Sequence, residues 1–112
     1  MSWNIRGLNK SAKIKEASSR LHSLNADISI LIETRVKSSK ASSVRQKLNV
    51  GNNYLDNYQS HANGRIWINW SSNKIDVRKF ACSSQMIHCG VYDCNGSFRF
   101  WLTAIYGPNS LE

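Results

Sequence analysis

The stretch Asp27-Ile28-Ser29-Ile30-Leu31-Ile32-Glu33-Thr34-Arg35 decides how this chain folds. Its centre is a short apolar run, and a run of this length predicts a strand buried on both faces. The run ends abruptly in charged residues, beginning with Glu33. Because open α/β sheets bind ligands at the carboxyl ends of their strands, the Glu33 carboxylate is placed to hold a hard cation. The alternative is that Glu33 only pairs with Arg35 or Arg6 at the end of the sheet.

Two further stretches combine polar residues with apolar ones. They are Ser2-Trp3-Asn4-Ile5-Arg6-Gly7-Leu8-Asn9 at the start and Leu102-Thr103-Ala104-Ile105-Tyr106-Gly107-Pro108-Asn109 near the end. With residues 27–35, they resemble the endonuclease/exonuclease/phosphatase superfamily, whose fold is that of DNase I. The resemblance is closest to the endonuclease domain of plant LINE-type retrotransposons, which carry Trp-Asn-x-Arg-Gly-Leu-Asn. It covers nearly all of this chain but only about the first half of a family domain.

The resemblance implies Mg²⁺-dependent hydrolysis of phosphodiesters, with DNA as the expected substrate. Such hydrolysis needs charge neutralisation on the phosphate, a positioned water and a protonated leaving oxygen. By resemblance, Glu33 binds Mg²⁺ and Asn4 helps to arrange the metal and the phosphate. Tyr106 matches the tyrosine that reaches the scissile phosphate, and Asn109 matches a polar loop residue near the substrate backbone.

Each of these residues also has a purely structural interpretation. Asn4 can cap a strand end, and Tyr106 can be an aromatic residue at the edge of the core. Asn109 follows Pro108, and this pair is favourable in a turn. The three motifs are individually weak, and the functional interpretation depends on their occurring together in the family order.

The sequence departs from the family pattern in two places. Family members with apurinic-type sites carry an acidic residue where this chain has Arg6, which cannot bind a metal but favours a phosphate. With Arg35, it is a candidate for substrate binding. The chain also contains no Gly-Asp-Phe-Asn-like or Ser-Asp-His-like segment, and none of its histidines has that context. We therefore expect residues 1–112 to be the N-terminal portion of a truncated domain with little or no independent activity.

Composition indicates a globular chain. Of the 112 residues, 41% are hydrophobic and 20% are charged, which are not the values of a disordered segment. No apolar run approaches the roughly 20 residues of a membrane span, and no secretion signal is recognisable. Three cysteines without paired metal spacing predict reduced packing residues. We expect an intracellular protein, with the nucleus as one candidate location, and no membrane partner.

The charge is positive and unevenly distributed. The net charge is +8, and ten of the fifteen Lys and Arg residues lie in residues 1–50. A basic half suits a polyanion, most plainly a nucleic acid backbone. The alternative is a solvated basic helix surface, which needs no partner.

The hydrophobic periodicity predicts an α/β fold. Strand, helix and strand at 2–6, 11–24 and 27–33 form a crossover unit, which makes its two strands parallel neighbours. Asn9 or Ser11 is the predicted N-cap of the helix. A second helix is predicted at 38–48, followed by a short strand around Tyr54 and Leu55 and by strands at 65–70 and 75–81. Together these elements predict a partial DNase I-like two-sheet sandwich flanked by helices.

A hairpin is the clearest local signal in the second half. Asn95-Gly96 between two alternating runs predicts a type I′ turn, with Val91 opposite Phe100 and Cys89 opposite Leu102. One face of this hairpin is a predicted core face, made of the following residues: Ile87, Cys89, Val91, Phe98, Phe100, Leu102 and Ala104.

Three functional hypotheses remain open at this point. The first is a truncated member of a Mg²⁺-dependent endonuclease lineage. The second is a non-catalytic basic module that binds nucleic acid or another partner. The third is a transposon relic with no retained function.

Overall fold

The computed structural model describes residues 1–107, which form two helices and seven strands in two sheets. The predicted α/β class is therefore confirmed. In chain order the elements are β1 Ser2–Asn4, α1 Ser11–Leu24, β2 Ile28–Ile32, α2 Ser38–Leu48, β3 Asn53–Asp56, β4 Ile66–Trp70, β5 Ile75–Cys82, β6 Met86–Asp93 and β7 Phe98–Ile105.

The first sheet is built around β2. Its strand order is β1-β2-β4-β3, with β1 parallel to β2 and β4 antiparallel to both of its neighbours. The predicted crossover through α1 is confirmed. Strand β2 is buried from Ser29 to Ile32, as its apolar run predicts. Because β2 pairs with β1 on one side and β4 on the other, its end lies between these two strands.

Helix α1 buries one apolar face. Ile14, Ala17 and Leu21 are buried, whereas Leu24 is 52% exposed. At 3.6 residues per turn, a residue ten positions after Ile14 has rotated roughly 80° off its face. The predicted side-chain cap is wrong. Lys10 is the N-cap residue and makes no side-chain cap bond, and the Asn9 side chain instead donates to the Arg35 carbonyl at 2.8 Å.

Each face of the first sheet contributes side chains to a different apolar cluster. The face that carries Leu31 and Trp67 packs against both helices. The opposite face, with Ile30 and Ile68, shares one cluster with residues of the second sheet such as Ile87. Alternation along β2 and β4 therefore directs successive side chains into different clusters.

The second sheet has the order β5-β6-β7 and is antiparallel throughout. Val91 lies opposite Phe100, and Cys89 lies opposite Leu102, as predicted. The predicted type I′ turn is wrong, because Gly96 alone among residues 93–97 has a positive φ, of 92°, and a type I′ turn needs two. The loop is one residue longer than predicted, with Asp93 N–H donating to the Ser97 carbonyl at 2.9 Å.

The longer loop changes the predicted core face. The register shifts between Val91 and Tyr92, so that Phe98 pairs with Tyr92. Phe98 then lies among aromatic rings of the opposite face, 5.1 Å from the Trp101 ring. Phe98 and Phe100 are 47% and 48% exposed, so their assignment to the core is wrong. Phe100 keeps the predicted register but lies on an outer strand, where nothing among the described residues covers it.

No helix within residues 1–107 is long and apolar enough to cross a membrane. The three cysteines are free thiols, of which Cys89 is buried and Cys94 is exposed.

Candidate functional site

The ends of β1 and β2 meet, as the crossover predicts. Asn4 pairs with Ile32, one residue before Glu33. Beyond the strands, Gly7 N–H donates to the Glu33 carbonyl and Leu8 N–H donates to the Thr34 carbonyl, each at 2.8 Å. The two segments that follow β1 and β2 therefore run side by side past the end of the sheet and form its rim.

Unusual backbone conformations are concentrated at this rim. Arg6, Glu33 and Arg35 have φ angles of 54°, 63° and 58°. The left-handed region costs an L-residue roughly 1–2 kcal/mol. The other non-glycine residues in this region among the described residues are Asn25 and Asn49, which end helices and are ordinary there. Three strained residues at two adjacent strand ends indicate that the surrounding structure imposes their geometry.

Gly64 fastens the start of β4 to this rim. Arg35 N–H donates to the Gly64 carbonyl at 2.7 Å, and Gly64 N–H donates to the Val36 carbonyl at 3.0 Å. A Cβ atom at residue 64 would lie 2.2 Å from Thr34 Oγ1 and 2.7 Å from the Val36 carbonyl oxygen. The close approach of these two backbones requires a glycine.

A cleft of about 350 Å³ opens at the rim. Three of the predicted site residues line it, although they are distant in the chain: Glu33, Arg35 and Tyr106. The remaining lining residues are His61, Asn63, Gly64 and Arg65. The structure thus brings together the end of β2, the loop before β4 and the end of β7.

The cleft carries more positive than negative charge. Arg35 Nη2 lies 3.0 Å from Glu33 Oε2, so the simple ion pair considered from the sequence is present. The Glu33 side chain is 19% exposed, whereas that of Arg35 is 58% exposed. Arg65 lies over the Tyr106 ring at 4.6 Å and donates to the Ser84 carbonyl at 3.1 Å. The cleft lining therefore includes two arginines and one carboxylate, and Arg35 is the arginine that pairs with Glu33.

The other predicted residues lie elsewhere. Asn4 and Arg6 are exposed on the neighbouring strand end and do not line the cleft wall. Asn109 lies outside the described residues, so its predicted role stays a prediction.

Sequence reasoning missed His61, Asn63 and Arg65. It placed the site from the ends of parallel strands alone, but β4 is antiparallel to β2 and therefore begins where β2 ends. Residues that precede an antiparallel neighbour share the rim, and this was the signal available for Arg65. His61 Nδ1 lies 3.2 Å from the Asn63 backbone nitrogen, which holds the short loop against the cleft.

The oxygen atoms at the rim suit Mg²⁺ only weakly. Residues 1–107 contain no group of three or more His, Cys, Asp or Glu side chains that can hold a metal. Glu33 is the one carboxylate among the described residues that line the cleft. Mg²⁺ is commonly bound through one or two carboxylates while it keeps several waters. Glu33 fits such a loosely held ion, with water as most of the remaining ligands.

No protein-family model and no curated protein matches this chain. The resemblance to the DNase I-like superfamily therefore rests on the three motifs and their order. What the cleft can do follows from its own groups. Two guanidinium groups and a phenol hydroxyl are donors for phosphate oxygens, and guanidinium groups bind phosphate in a bidentate manner.

Proposed function

We propose that this chain derives from a Mg²⁺-dependent phosphodiesterase lineage with a DNase I-like two-sheet sandwich, and that it binds the backbone of nucleic acid at the rim cleft. The observation that carries the proposal is the cleft itself, where Glu33, Tyr106 and the Arg35 and Arg65 guanidinium groups converge. Asn4, Glu33 and Tyr106 follow one another in the family order.

The electrostatics of the cleft support a polyanionic ligand. Arg35 and Arg65 exceed the charge of Glu33 by one unit, and the whole chain carries +8. Arg6 follows β1 and precedes Gly7, whose N–H donates to the Glu33 carbonyl at the rim. Phosphate contacts of this kind position a nucleic acid but do not select its sequence. The proposed ligand is therefore a nucleic acid backbone of any sequence, and the family resemblance favours DNA.

The chain's own residues support binding better than turnover. Glu33 can hold Mg²⁺, Asn4 and Tyr106 can orient a phosphate, and the bound ion would neutralise phosphate charge. Among the described residues that line the cleft, there is no second carboxylate to activate water. We infer that hydrolysis by residues 1–112 is slow or absent.

Fluorescence anisotropy with a labelled DNA duplex tests the proposal. We expect a dissociation constant on the order of 10⁻⁴–10⁻⁶ M at physiological salt, and an affinity that falls steeply as salt rises. Arg35→Ala/Arg65→Ala should weaken binding at least about tenfold, because two phosphate contacts are lost. The matched control is Arg78→Ala/Lys79→Ala, which removes the same charge from β5 and should have a smaller effect.

If the two double variants lose equal amounts of DNA affinity, only net charge matters and the cleft is not the binding site. Binding that is insensitive to salt would remove the phosphate contacts. In either case the basic half is a solvated surface, as in the relic hypothesis.

A further inference from the structure

The two sheets have four open edges among the described residues, and three of them are protected. Strands β1 and β3 have only three and four residues. Strand β5 has eight, but it carries a bulge between Lys79 and Ala81 and several charged side chains, among them Asp76 and Arg78. Short length, bulges and charge are the usual means of preventing edge-to-edge pairing.

Strand β7 has none of these protections over most of its length. Its sequence, Phe98–Ile105, contains a single charge, that of Arg99. Its pairing with β6 is regular from Phe100 to Ile105. Four of the eight large hydrophobic side chains exposed in residues 1–107 belong to this one strand: Phe98, Phe100, Trp101 and Ile105.

The backbone of β7 presents free hydrogen-bonding groups at this edge. Tyr106 N–H donates to the Gln85 carbonyl at 2.7 Å, in register with the β6–β7 ladder. Hydrogen-bonded and non-hydrogen-bonded pairs alternate in an antiparallel ladder. Leu102 and Ala104 therefore bond to β6, and the N–H and carbonyl groups of Trp101, Thr103 and Ile105 point away from it.

Both faces of the sheet continue to this edge as apolar surface. On the inner face, half-buried Leu102 borders the inter-sheet cluster and Phe100 extends beyond it. On the outer face, Trp101 stacks on His88 and meets the edge of Phe80 at 4.9 Å. An occupant of the edge must be an extended strand with apolar side chains on both faces.

We propose that the occupant is β7 of a second copy of this chain, paired antiparallel across a two-fold axis. Strand β7 itself meets the requirement for apolar side chains on both faces. Directly opposite residues must share a face, so the axis passes through a residue; pairing over the full length of β7 puts it at the middle of the strand, at Trp101 or at Leu102. Arg99 then lies opposite Thr103 or Ile105, so like charges do not meet. The six-stranded sheet that results ends in protected β5 strands on both sides, so assembly stops at the dimer.

The shared surface is small. A buried aromatic side chain contributes about 150–250 Å², and those of β7 are already about half covered. Together with the strand backbone this gives an interface near the low end of specific ones. The dimer should therefore be weak and concentration-dependent, forming in roughly the micromolar to millimolar range.

Sedimentation of the full chain across concentration tests the proposal. We expect the mass to rise from one 12.7 kDa chain toward two. Thr103→Pro removes one outward N–H without touching a backbone hydrogen bond between β6 and β7, and it should hold the protein as a monomer. Thr103→Val is the matched control, since it also loses the Thr103 Oγ1 to His88 bond of 2.8 Å but keeps the N–H, and it should still dimerise.

Hydrogen exchange of the unmodified chain gives a second measurement that needs no variant. Between dilute and concentrated samples, the amides of Trp101, Thr103 and Ile105 should slow at least about tenfold, and those of the β5 edge should not. A chain that stays monomeric at millimolar concentration would overturn the proposal. A dimer in which these amides stay unprotected would also overturn it. So would a dimer that dissociates in Phe80→Ser but persists in Thr103→Pro, because the two copies would then be in contact through the outer face of the sheet.

Discussion

Glu33 carries two roles at the scale of single residues. Its carboxylate holds Arg35 at 3.0 Å, and its backbone has a φ of 63°. An ion pair with a largely exposed arginine contributes little to stability, about 0–1 kcal/mol. This contribution does not offset the conformational cost of the left-handed backbone at Glu33. The strain therefore favours a positioning role for the carboxylate at the rim.

Replacing Glu33 by Gln should remove the weak Mg²⁺ site. The amide is similar in shape but lacks the charge that attracts a hard cation. Isothermal titration of the unmodified chain with Mg²⁺ should show weak binding that Glu33→Gln abolishes. Glu16→Gln, an exposed carboxylate on α1, is the control and should leave the titration unchanged. Equal binding by all three proteins would exclude Glu33 as a ligand.

Cys89 should make stability fall at alkaline pH. Burial raises the pKa of its thiol from the usual 9.0 to about 11. Between these values the unfolded chain ionises and the folded chain does not, so the stabilisation is complete below pH 9 and is lost as pH rises through 11. The loss from pH 8 to pH 10.5 is about 2 kcal/mol.

Urea unfolding at the two pH values measures this effect. Tyr58, whose pKa burial also raises, loses stabilisation in the same direction at higher pH, and it does so in every variant. Between pH 8 and pH 10.5, the free energy of unfolding of Cys89→Ala should therefore fall by about 2 kcal/mol less than that of the unmodified chain. Cys94→Ala, at an exposed cysteine, should behave as the unmodified chain. Identical falls in both variants would contradict the assignment to Cys89.

At the scale of elements, the rim is made where backbones approach closely. Gly64 joins the start of β4 to the segment after β2, and its neighbours leave no room for a Cβ atom. Gly96, in the β6–β7 loop, has a positive φ of 92° but nothing within 4 Å of a Cβ atom. The first glycine is required by contact and the second by conformation.

Substitution of these two glycines by alanine should therefore lower the free energy of unfolding by different amounts. Gly64→Ala should lower the free energy of unfolding by more than about 2 kcal/mol, because the clash involves the Val36 backbone and cannot relax locally. Gly96→Ala should cost about 1 kcal/mol, from strain alone. Urea denaturation measures both. A reversed order would mean that the β2 and β4 segments are not held as closely as described.

At the scale of the whole molecule, the cleft combines groups from both halves of the chain. Residues 1–50 have a net charge of +7 and residues 51–112 have +1, by the count of Lys, Arg, Asp and Glu. The strongly basic half supplies Arg35, but the nearly neutral half supplies Arg65, His61 and Tyr106. Net charge attracts a polyanion to the molecule, and the fold decides where it binds.

The chain should not cleave plasmid DNA in the presence of Mg²⁺. Within residues 1–107, Glu33 is the single carboxylate lining the cleft, and phosphodiester hydrolysis also needs a group to position water and a group to protonate the leaving oxygen. Agarose gel assays with and without EDTA measure the activity. Cleavage that Glu33→Gln abolishes would show that other residues, such as His61, supply these roles. Glu16→Gln serves again as the control.

The sequence by itself determined most of the regular structure. Local periodicity predicted the bounds of α1 and α2, the buried β2 strand, its parallel pairing with β1 and the register of Val91 with Phe100. Most of these features depend on residues close in the chain, where apolar spacing carries the information directly, and the parallel pairing follows from the short strand–helix–strand connection. Glu33 became a candidate because it follows the buried strand, and Tyr106 became one through the family resemblance; the structure places both at the same cleft.

The tertiary structure alone decided three further matters. It brought His61 and Arg65 to the cleft, because the antiparallel course of β4 depends on pairing with β2 across more than 30 residues. It left Phe98 and Phe100 exposed, because one extra loop residue shifted the register and β7 became an edge. It also placed Arg6, Glu33 and Arg35 in left-handed conformations, which packing between distant segments imposes and local preference opposes.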